Sequence, residues 1–108
     1  MLTRHIALVA DHGDVTFRQL SVVAAALQVQ VSRDLAPCWS MNASVAAFEN
    51  RQDVPVGWWH VLIRKGRVDK DDDYGFHTDR RRQPYALVKY GEGWSLTASH
   101  EILEMLVQ

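Results

Sequence analysis

The stretch TFRQLSVVAAALQVQVSRDL, Thr16 to Leu35, decides the class of the fold, because its two halves favour different structures. The first half opens with Thr16-x-x-Gln19, a capping pattern in which the threonine side chain accepts from an early helical amide while the glutamine reaches back. Apolar residues then recur at helical spacing through Phe17, Leu20, Ala24, Leu27 and Val31. The second half, LQVQVS, alternates with a period of two and carries β-branched valines, as a strand would. A long helix ending before Pro37 is expected, with the strand alternative open beyond Leu27.

The flanking segments turn that helix into part of an α/β chain. Upstream, Thr3 to Val9 suits a pleated, buried strand, and Asp11, Gly13 and Asp14 supply the turn after it. Downstream, Ala43 to Phe48 reads as a second strand, and Gly57 to Arg64 as a third after the break at Pro55 and Gly57. KGRVDKDDDYG is a polar, solvated turn. PYALVKY, Pro84 to Tyr90, is a fourth or fifth strand whose leading proline suits a sheet edge. Ser95 can cap a final helix from about Leu96 to Val107. No internal repeat or linker divides the chain, so one folded unit spanning residues 1–108 is expected.

Composition narrows the partners. With 47% hydrophobic residues the 108-residue chain can bury one core, and a net charge of −1 gives no basic excess to hold nucleic acid. No apolar run approaches the roughly 20 residues needed to span a bilayer. Asp11 and Asp14 interrupt the amino terminus before an apolar run of secretory length is complete. Cys38 is the single cysteine, which excludes an intrachain disulfide and a cysteine-rich zinc knuckle; a reducing, cytoplasmic setting is expected.

The final helix carries the candidate chemistry. On a wheel of about 100° per residue with His100 at the origin, Thr97, Glu104 and Glu101 fall within one sector of about 100°. Leu96, Leu103, Val107, Leu106, Ile102, Ala98 and Met105 fill most of the rest, so a helix buried on most sides is expected. A sector of one threonine, one histidine and two carboxylates has no cation of its own, and burying it requires one. A divalent metal meets that need. His100 and Glu104 stand one helical turn apart on one face, and imidazole nitrogen and carboxylate oxygen both suit zinc. Glu101, set to the side, can take a proton from the attacking water. This is the logic of the His-Glu-x-x-His helix of zinc peptidases, with Glu104 in place of the second histidine.

At ASHEILEML, together with PYALVKYGEGWSLT before it and AALQVQVSRDLAPCW further upstream, the chain resembles bacterial zincin-like proteins that carry a His-Glu-x-x-Glu helix. The resemblance extends over nearly the whole chain. It implies a zincin-like N-terminal subdomain: a twisted mixed sheet of four or five strands, a long backing helix, an antiparallel edge strand rimming the cleft, and then the active-site helix. It also implies a third protein ligand from a segment after that helix. Only four residues follow Glu104, so the expectation is a chain cut short relative to the family, with His77 as the best upstream candidate for the third ligand.

Other motifs read as surface or core. Asp69, Asp71 and Asp73 have the spacing of the first three calcium ligands of an EF-hand loop, but the glycine comes one place late at Gly75, and Arg80 stands where a glutamate is required. Arg80, Arg81 and Arg82 can pair with an anion, although such triplets are usually solvated. Cys38 lies in no nucleophile signature and reads as a small buried hydrophobe. Trp39, Trp58, Trp59 and Trp94 read as core and rim packing.

The functional expectation is a zinc-dependent, peptidase-like metallohydrolase domain. His100 and Glu104 are its metal ligands, Glu101 its general base, and Ala86, Leu87 and Val88 the edge-strand residues that pair with an extended peptide or protein substrate. The alternative is a non-catalytic interaction module of the same fold that self-associates or binds a protein partner. Self-association follows from apolar surface beside His100, notably Leu103 and Val107.

Overall fold

The computed structural model describes residues 2–11, 13–35, 37, 41–65, 75–78 and 84–107; of residues 2 and 75–78 it describes the backbone. The motifs at Cys38, Trp39, Asp69, Asp71, Asp73 and Arg80 to Arg82 lie outside these residues.

Strand β1 (Leu2–Ala10) is the organising element. Ile6, Ala7, Leu8 and Val9 are all 0% exposed, so both faces of the strand are covered, which accounts for an unbroken apolar run instead of an alternating one. It pairs in parallel with β2 (Met41–Phe48) on one side and β3 (Trp59–Arg64) on the other. β3 pairs in parallel with β5 (Pro84–Lys89), and β4 (Gly75–Thr78) lies antiparallel on the far side of β5. The result is a five-stranded mixed sheet in the order β2-β1-β3-β5-β4, four of its strands parallel.

Helix α1 (Phe17–Gln30) starts at the expected cap: the Gln19 amide donates to Thr16 Oγ1 at 3.1 Å, and the Thr16 amide to Gln19 Oε1 at 2.9 Å. Its second half stays helical and widens into a π-turn over Val31–Leu35. Tertiary packing overrides the period-two pattern, because Leu20, Ala24, Leu27, Val31 and Leu35 fall on one buried stripe against the sheet. Helix α2 (Trp94–Val107) lies on the same face, over β3, β4 and β5, while α1 covers β1 and β2. The main core sits between the two helices and Ile6, Leu8, Val61, Ile63, Ala86 and Val88. A smaller cluster on the opposite face joins Ala7, Val9, Leu62 and Leu87 to Phe48, Val54, Trp58 and Tyr85, so the β2–β3 crossover and its flanking aromatics do there what a helix does on the other side.

Three expectations are corrected. Pro84–Lys89 is an inner strand; the edge is β4, a four-residue strand following a polar run, too short to leave a periodic signal. The final helix begins at Trp94 and not after Ser95, because Gly93 adopts a positive φ of 79° that frees its carbonyl to accept from Leu96 and Thr97. The same helix is less enclosed than its composition implies: Leu96 is 76% and Val107 39% exposed.

Candidate metal centre

Gly93 and the core fix how α2 presents its side chains. Ala98, Ile102, Met105 and Leu106 are buried against the sheet, which sets the rotation of the helix and leaves Leu96, Thr97, His100 and Val107 outermost, while Leu103, expected at the surface, is half-buried against the core. Ser99 and Glu101, each 8% exposed, are the polar side chains buried among the described residues, and they flank His100 at opposite margins of the packed face. Ser99 Oγ donates to Gln30 Oε1 at 2.6 Å, tying α2 to the last residue of α1. The sequence pattern does not reveal this contact; its one signal is a pair of glutamines, Gln28 and Gln30, set between valines at the end of α1.

His100, Glu101 and Glu104 converge. One donor atom from each lies within 4.8 Å of the other two, the one such group among the described residues. His100 Nε2 and Glu104 Oε2 are 3.6 Å apart, with side chains 76% and 43% exposed, so this pair faces solvent while Glu101 reaches the group from the buried side. Zinc bonds of about 2.0–2.2 Å in a tetrahedral array put neighbouring donors about 3.4 Å apart. The His100–Glu104 separation of 3.6 Å is close to that spacing, and a carboxylate oxygen of Glu101 lies within 4.8 Å of both from the buried side. The imidazole of His100 and the carboxylate of Glu104 are donors that suit zinc and other borderline divalent ions, with the Glu101 carboxylate beside them.

Beside the cluster is an open depression of about 630 Å³ lined by Gln30, Leu96, Thr97, Ser99, His100 and Leu103. Its lining is polar towards Ser99 and Gln30 and apolar towards Leu96 and Leu103.

The other sequence candidates whose side chains are described stand apart from this group. His77 stands in β4 opposite Tyr85, and its side chain lies outside what the structure describes. Ala86, Leu87 and Val88 are 0%, 5% and 0% exposed, and β5 is paired with β3 on one side and β4 on the other. Their backbone is committed to the sheet, because the strand that carries them is inner. Trp58 stacks on His5 at 4.9 Å and meets Phe48 edge-on at 5.3 Å, and Arg4 lies over Trp59 at 4.9 Å from the ring centroid, which makes both tryptophans packing residues. No family model, curated protein or solved structure matches the chain.

Proposed function

We propose that this chain is a zinc-dependent, peptidase-like hydrolase domain whose centre is the His100, Glu101 and Glu104 cluster on α2. The observation that carries the reading is the convergence of three donor groups within 4.8 Å, two of them exposed and one buried. His100 and Glu104 would hold the ion from one helical face. Zinc held there supplies a Lewis acid that polarises a carbonyl and acidifies water. Glu101, on the buried margin, accepts the proton of the attacking water and delivers it to the leaving amine. Its burial keeps the carboxylate in a low-dielectric setting, where its interaction with a cation is stronger than at the surface. An extended peptide would lie along β4, the sheet edge on the side of α2, and pair through its backbone.

A second reading has its own support. Leu96, 76% exposed on the same face as His100, favours a non-catalytic module that buries this face against a partner, with self-association the simplest case.

Hydrolysis of an unstructured protein substrate by zinc-loaded protein separates the two. The hydrolase reading expects cleavage that falls at least about a hundredfold in Glu101→Gln while bound zinc is retained. Zinc-loaded parent that cleaves nothing beyond the Glu101→Gln background leaves the interaction module.

A further inference from the structure

The sheet order makes β2 an edge strand, and an edge normally offers unpaired amides and carbonyls to any extended chain that meets it. On β2 three successive outward groups are already occupied. Gln28 Nε2 donates to the Ala43 carbonyl at 2.7 Å, and the Val45 amide donates to Gln28 Oε1 at 2.7 Å. These are the two bonds that one residue of a parallel neighbour makes, to a carbonyl and to the amide two residues further on. The Ala43 amide donates to Asn42 Oδ1 at 3.0 Å.

The carboxamide is held in one orientation. Its second proton goes to Ser32 Oγ at 3.1 Å, and turning it over would set Oε1 against the Ala43 carbonyl. Its position is fixed by the core, since the neighbouring Leu27 and Val31 are 5% and 1% exposed and α1 packs along β2. The π-turn at Val31–Leu35 begins within one helical turn of Gln28 and carries the Ser32 hydroxyl that completes the arrangement.

We infer that Gln28 is an edge stop, a side-chain amide standing where the next strand would pair, which bars β2 from antiparallel pairing with β2 of a second copy of this chain. Such pairing is the natural route for two identical edges related by a two-fold axis. The inference is independent of any metal at α2.

Amide hydrogen exchange of the unaltered protein is the first test. The Val45 amide should exchange at least about tenfold more slowly than that of Ala47, which strand alternation turns the same way but Gln28 does not reach. Equal rates would overturn the proposal. Gln28→Leu fills the position with an apolar side chain and removes both bonds; its weight-average mass in sedimentation should rise with concentration across the micromolar range. Adding Ala47→Pro, which takes one outward donor from the edge, should return it to the parent value. Gln28→Ala, which removes both bonds with a smaller side chain, takes its place if the leucine variant does not fold. A folded variant with the parent's mass at every concentration, or an association that Ala47→Pro leaves unchanged, would also overturn it.

Discussion

His100 and Glu101 are adjacent in sequence and opposite in environment, and the difference follows from one step of about 100° around a helix. That step leaves His100 mostly in solvent and brings Glu101 to 8% exposure at the margin of the core. The two should respond differently to substitution. His100→Ala should leave thermal stability within about 0.5 kcal/mol of the parent, the range for an exposed site, and remove zinc uptake. Glu101→Gln should be felt in folding as well as chemistry, because a buried amide must satisfy donors that a carboxylate does not have. Ser99→Ala removes the hydroxyl that donates to Gln30, and urea denaturation should show a loss of about 1 kcal/mol. The His100, Glu101 and Glu104 spacing was legible because a helix converts sequence interval directly into angle. The Ser99–Gln30 contact was not, because it joins residues 69 apart that only the packing of two helices brings together.

At the scale of elements, the starts of both helices are set by single residues, and their loss should have distinct signatures. Thr16→Ala removes the reciprocal cap of α1 and should cost about 1 kcal/mol. Gly93→Ala should cost about 1–2 kcal/mol through backbone strain alone, since φ is 79° and an added Cβ meets nothing within 4 Å. The first cap was readable from Thr16-x-x-Gln19. The second was not, because Ser95 offered a conventional capping side chain one residue inside the true start, while the glycine signals only through its backbone. Strands followed the same division. β1, β2, β3 and β5 carry enough apolar residues to be read, whereas the four residues of β4 owe their conformation to pairing with β5.

For the whole molecule, the sheet order explains where chemistry and contacts can occur. α1 and α2 occupy one face, the β2–β3 crossover covers the other, one edge is occupied by Gln28, and α2 presents its donor cluster beside the half of the sheet that ends in β4. The class of the fold could be read from alternating strand and helix patterns, but the strand order could not, since hydrophobic patterning does not say which of two strands lies inside. The leading proline of Pro84–Lys89 therefore points to an edge that belongs to β4, the strand before it. The same surface logic makes Leu103→Glu, beside the exposed Leu96 and Val107, the variant expected to lower any self-association through α2, seen as a smaller mass by light scattering at micromolar concentration. The central claim is that one ion is held by the α2 cluster, and zinc stoichiometry of the parent and His100→Ala, measured side by side after exposure to excess zinc and removal of free metal, tests it most directly. Close to one equivalent in the parent and none in the variant is the expected result; no zinc in the parent, or equal zinc in both, would contradict it.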